Sequence, residues 1–182
     1  MKQSEDFWRG ILVENLKKKN VQGAGGIYGL DGQKYTTKDF FHISEPTAKT
    51  IADLFIKFEE IENPTEENET PKIEEYEPPI ALTDLDNNQP LRIENEDFLI
   101  ITLNSRLLYA TNEKHCVFAY RCQFSFVIML FSNFQDIKPK SPLYEKLENN
   151  QNTSLQQGKP INPEIYAKII LEIANEIINQ GG

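Results

Sequence analysis

The side chains able to carry out bond chemistry are few in this sequence, and they do not converge. His42 and His115 are the only histidines and lie far apart, and the only cysteines, Cys116 and Cys122, lack a second Cys or His at the close spacing of a zinc site. Both histidines read as surface or hydrogen-bonded side chains. Both cysteines read as reduced and structural, because two are too few for a disulfide framework. The glycines at 23, 25 and 26 lack the spacing of a dinucleotide-binding loop, and no Gly-x-x-x-x-Gly-Lys run exists to cradle a phosphate. Carboxylates are abundant, but they crowd into an acidic run where full hydration gives no reason for a shifted pKa, and the Asp/Asn pattern of a calcium loop is missing. With no nucleophile, base, metal ligand set or cofactor loop nominated, the sequence points to binding rather than catalysis, without metal or cofactor.

Charge narrows what could be bound. A formal net charge of −9 over 182 residues argues against generic nucleic-acid binding and against a broadly basic membrane-binding surface. Only a local patch such as Lys17-Lys18-Lys19 could meet an anion. A hydrophobic content of 39% at this length supports one globular domain spanning residues 1–182. Met1 to Asp6 holds no apolar signal core, and the apolar run 124–131 is too short to cross a bilayer, so the expectation is a soluble cytoplasmic protein and not an integral membrane protein.

The elements that must position any binding surface follow from periodicity. Phe7, Trp8, Ile11, Leu12 and Leu16 recur at helical spacing over 7–19 and predict an amphipathic helix with one buried face. Segments 21–30 and 33–37 predict a hairpin about Asp31-Gly32, a pair suited to a tight turn. Ser44 caps a further helix, with Pro46 in its first turn and Ala48, Ile51, Ala52, Phe55 and Phe58 inward. From 59 to 90 the composition turns to Glu and Pro, which predicts an extended surface loop. Runs at 91–103, 107–109, 116–122 and 124–131 read as an antiparallel meander. A second polar insertion at about 133–160 carries a short helical piece near 143–147. Asn162 caps the last helix, Pro163 takes its first turn, an Ile-rich stripe runs to Ile178, and Gly181 ends it. The economical assembly is α+β: an antiparallel sheet with the N- and C-terminal helices side by side on one face and a smaller helix elsewhere.

The order of these elements, with certain residues inside them, resembles the profilin family. The resemblance rests on Trp8 early in the first helix, on Gly29-Leu30-Asp31-Gly32-Gln33-Lys34-Tyr35 as a turn followed by an aromatic, and on the strand Phe98-Leu99-Ile100-Ile101-Thr102. It is closed by a last helix ending Ile177-Ile178-Asn179-Gln180-Gly181. It covers about 6–58, 91–131 and 161–182, leaving out the two polar insertions. What it implies is a monomeric, non-enzymatic protein of the cytoplasm and cytoskeleton that binds actin monomers and regulates their polymerisation.

The resemblance also implies sites. Lys168 and Glu172 fall at actin-contacting positions one helical turn apart, and Leu99, Ile101 and Thr102 fall at further contact positions on a strand. Asp97 stands where many profilins have Lys, reversing a charge beside that surface. A groove for proline-rich segments would keep Trp8 and Tyr35, but Ile11, Glu176 and Gly182 replace residues often aromatic, so binding of such peptides should be weak or absent. Lys17, Lys18 and Lys19 would be the patch for phosphoinositide head groups. This pattern is similar to divergent profilins of protists or of archaea near the eukaryotes. The alternative is a longin- or roadblock-like scaffold module for a small GTPase or trafficking complex, which would share the sheet and helices but not require Trp8 beside the last helix. A small-molecule sensor would need an internal pocket that the bulky Ile and Phe positions fill.

Overall fold

Alternation along the strands divides the apolar residues between the two faces of one sheet. The computed structural model describes residues 4–38, 41–62, 90–93, 95–134 and 160–181. Its strands are β1 (Ala24–Gly29), β2 (Lys34–Lys38), β3 (Leu91–Ile93), β4 (Glu96–Leu103), β5 (Leu107–Thr111), β6 (His115–Arg121) and β7 (Ser125–Ser132). They form a single seven-stranded sheet in the order β2-β1-β7-β6-β5-β4-β3, with every neighbouring pair antiparallel. The helices are α1 (Glu5–Lys18), α2 (Glu45–Glu62) and α3 (Pro163–Asn179).

Each face has its own core. On one side α1 and α3 lie together, and Trp8, Leu12, Ile170, Ile173 and Ile177 meet Ile27, Phe118, Val127 and Phe131. On the other, Ile51 and Phe55 of α2 meet Tyr28, Phe98, Leu108 and Phe126. Because helices cover both faces of β7, its residues from Ser125 to Met129 are buried without a break, whereas β4 alternates. Among the described residues, no helix is long and apolar enough to cross a membrane.

The turns and caps follow the sequence closely. Asp31 Oδ1 accepts a hydrogen bond from the Gln33 N–H at 3.0 Å, and Gly32 adopts a φ of 89° where a side chain would also press on the start of α2. Ser44 Oγ accepts from the Thr47 N–H, and Asn162 Oδ1 accepts from the Glu164 N–H at 3.0 Å, satisfying donors that open helix ends leave free. Gly181 leaves α3 at a φ of 82°.

Several expectations are corrected. Helix α1 starts at Glu5, capped by Ser4, and Phe7 is 36% exposed rather than part of the inner face. The single strand expected over 91–103 is the β3–β4 hairpin. Helix α2, expected to be the smaller one, has 18 residues and is the longest of the three. It runs through Glu62, so 59–62 is helical rather than loop. Carboxylates there face the negative end of the helix dipole, an unfavourable placement. The Arg121 guanidinium offsets it by pairing with Glu59 at 2.6 Å, and the Ser105 N–H and hydroxyl both donate to Glu62. The remainder of the 59–90 insertion, most of the 133–160 insertion and the helical piece near 143–147 lie outside the described residues. Asn133 is ordered by its amide, which donates to Thr111 Oγ1 and to the carbonyls of Asn112 and His115. Phe134 pairs with Pro160, bringing the chain on both sides of the second insertion together.

Phe55 is fully buried and its ring lies 6.2 Å from that of Phe126, so Phe55→Ala should lower unfolding free energy by about 3–5 kcal/mol in urea titrations, with an unchanged slope. Glu96 accepts hydrogen bonds from His115 and Asn112, which hold its carboxyl below the ordinary value of 4.5. A folded-state pKa below the unfolded one contributes stability that is present above that ordinary value and lost as pH falls through the folded-state value. The difference in urea midpoint between the unchanged protein and Glu96→Gln should therefore shrink on going from pH 7 to pH 3, and a constant difference would refute the linkage.

Candidate functional site: an uncovered sheet face

Helix α3 packs on β6 and β7, and among the described residues no helix packs on the same side of the sheet farther along, at β5, β4 and β3. On β4, Phe98, Ile100 and Leu103 pack into the α2 core, and alternation turns Leu99 to the other face. Leu99 is 67% exposed and Ile101 43% exposed, with Asp97 and Thr102 exposed beside them. A register shift between Ile100 and Thr102 breaks strict alternation, which is how consecutive residues 101 and 102 both reach solvent. Thr111 and Tyr109 of β5 lie opposite Leu99 and Thr102. The Tyr109 ring stacks on Phe118 at 4.6 Å, anchoring this half of the face to the core beneath α3. The four strand residues singled out by sequence thus form one continuous apolar and polar strip.

The two helix residues separate. Lys168 is exposed and has no ion pair among the described residues, whereas Glu172 pairs with Lys19 of α1 at 2.8 Å. The Glu172 carboxylate therefore leans toward the seam between the terminal helices and is not a free partner for Lys168. Leu171, 40% exposed and next to Glu172 in sequence, adds an apolar group that sequence reasoning passed over. Its signal was available, since it falls outside the inward stripe of Ile169, Ile170 and Ile173.

The seam between α1 and α3 is closed rather than grooved. Trp8 and Ile11 are 7% and 6% exposed, both in the core with Ile177. The buried Asn15 amide donates to the Ile11 carbonyl at 2.9 Å and to Glu176 at 2.7 Å, so Glu176 acts as an interhelical acceptor. Tyr35 packs half-buried against the same core, and burial, with Asp31 second, pushes its phenol up. The aromatic that does reach the surface is Phe7, edge-on to Trp8 at 5.2 Å. Lys17 and Lys18 are exposed at the end of α1, but Lys19 is held by Glu172.

Burial pushes the Cys116 thiol up to about 12 and the Cys122 thiol up to about 11, so both stay protonated at neutral pH. His115 Nδ1 donates to the Glu96 carboxylate at 2.9 Å as part of a polar cluster, and His42 is exposed. Among the described residues, no three His, Cys, Asp or Glu side chains are grouped to hold a metal ion. A cleft of about 280 Å³ at one end of the sheet is lined by Ser105, Arg106, Gln123 and Ile178, with the Arg121–Glu59 pair across it.

No protein-family model and no curated protein matches this chain. Solved structures do. Profilin IA of Acanthamoeba castellanii superposes with a TM-score of 0.60 at 16% identity, covering 96% of this chain and 99% of that one. Profilin of Schizosaccharomyces pombe gives 0.58 at 11% identity with the same coverage. LokiProfilin2, from its complex with rabbit actin, gives 0.54 at 16% identity, covering 97% of this chain and 98% of that one. The chain therefore has the profilin fold, in line with the resemblance carried by its end motifs.

Proposed function

We propose that this protein binds actin monomers through the outer face of β4, with Lys168 at its helical border, and thereby regulates actin polymerisation in the cytoplasm. The observation that carries the reading is the exposure of Leu99 and Ile101 on a strand whose other side packs Phe98, Ile100 and Leu103 into the α2 core. Large aliphatic side chains held rigidly in water on an uncovered sheet are what a protein interface uses for its apolar centre, and charged groups border them here. A protein of the same fold, LokiProfilin2, is known in complex with rabbit actin, which suggests the class of partner. Trp8 packed with α3 favours this over a longin- or roadblock-like scaffold, for which that contact has no role. Glu172 contributes indirectly, by fixing α1 against α3.

Proline-rich peptides are poor ligands on this reading. Stacking on proline rings needs exposed aromatic faces. Here Trp8 and Ile11 are inward and Glu176 is bound to Asn15. Phosphoinositide head groups could engage Lys17 and Lys18, with Lys19 available only if its pair with Glu172 opens.

In pyrene-actin assays with actin from the source cell, saturating protein should slow spontaneous polymerisation. Leu99→Asp should weaken that effect at least about tenfold, the loss expected for an apolar anchor at an interface centre. Polymerisation kinetics untouched by the unchanged protein would reject the proposal. Titration with a proline decamer, followed by fluorescence of Trp8, should show no saturation below about millimolar peptide. Saturation at low micromolar peptide would mean that the seam opens.

A further inference from the structure

We propose that Arg92 is a partner-contacting residue and that Asp97 opposes it, the two together setting how acidic a patch on the actin monomer this face accepts. The inference rests on the actin reading above. Arg92 is the central residue of edge strand β3, and its neighbours Leu91 and Ile93 are buried in the α2 core. Alternation therefore turns Arg92 to the outer face, directly opposite Asp97 on β4 and bordering the Leu99–Ile101 strip.

The pair is loose. Arg92 Nε lies 3.9 Å from Asp97 Oδ1, and the two side chains are 70% and 57% exposed. An ion pair that long and that hydrated contributes little by itself. It also leaves the remaining guanidinium N–H donors without a protein acceptor among the described residues. Arginine is enriched and aspartate depleted where proteins meet, because the planar guanidinium can grip a carboxylate with two parallel hydrogen bonds. When docking displaces water from Leu99, Arg92 sits at the border with free donors and meets an acidic side chain of the monomer. Asp97, facing the same acidic group, is repelled. The two residues thus act with opposite sign, and the attraction of Arg92 offsets the charge that Asp97 brings to the face.

The test is the affinity of the full chain for monomeric actin from the source cell at low and moderate salt. Arg92→Ala should weaken binding about tenfold and flatten its salt dependence, Arg92→Glu should weaken it further, and Arg92→Lys should retain part of the affinity. Asp97→Asn should tighten binding, by about threefold in the Arg92 background, with a different factor in Arg92→Ala because the two sites are coupled. All four side chains replace an exposed one, and matching thermal midpoints will separate binding from folding effects. If Arg92→Ala and Arg92→Glu bind as the unchanged chain does while Leu99→Asp loses binding, this inference is overturned and the actin reading stands. Weaker binding by Asp97→Asn also overturns it. No binding by the unchanged chain overturns the actin reading and this inference with it.

Discussion

The isoleucine stripe of α3 is the constraint on which the rest of the molecule depends. Ile169, Ile170, Ile173 and Ile177 are buried together with Trp8, Leu12 and Leu16 of α1 and with the side chains of β6 and β7. Each fully buried aliphatic side chain of this size contributes about 1.5–3 kcal/mol relative to an exposed one, so this contact outweighs any single polar interaction in the structure. Side by side, the two terminal helices cover β2, β1, β7 and β6 but do not reach β4 and β3. The apolar strip on β4 is therefore a consequence of how much sheet the helices can reach.

Polar contacts then fix details that burial alone leaves open. Asn15 and Lys19 of α1 face Glu176 and Glu172 of α3, and because the rising numbers of one helix meet the falling numbers of the other, the pairs set an antiparallel register. The buried Asn15 amide donates within α1 to Ile11 and across the seam to Glu176, so sliding α1 by a turn would break the interhelical bond and leave that N–H unpaired. At the far end of α2, Arg121 at the end of β6 and Ser105 between β4 and β5 hold Glu59 and Glu62. Apolar packing supplies the stability, and these contacts select one arrangement.

Most of the architecture was legible because local signals agreed. Asp31-Gly32, Ser44, Asn162 and Gly181 mark turn and caps by chemistry that operates within three or four residues, and each is found in that role. The errors came where a distant residue decides. Glu59 to Glu62 reads as loop from composition, since only Arg121 and Ser105, far along the chain, make the acidic turn tolerable. Phe7 reads as core from its spacing to Ile11, yet the burial of Trp8, Leu12 and Leu16 sets a helix phase that leaves it at the edge of the inner face. At the candidate site, Leu99, Ile101 and Thr102 were reachable by alignment of a strand pattern, but the tie between Glu172 and Lys19 and the closeness of Arg92 to Asp97 required three-dimensional pairing.

The placement of α1 and α3 in a shared core also dictates an order of assembly. The core under α2 uses residues from Tyr28 to Ile128, all of which leave the ribosome before α3 exists. The core on the opposite face cannot close until Ile177 has been made, well after Ile128. During synthesis α1 must wait with Trp8 and Leu12 unpaired, and the growing chain exposes one side of its sheet to the cell. A nascent chain in that state is the form on which a chaperone would act, and the species most prone to pair wrongly with another copy.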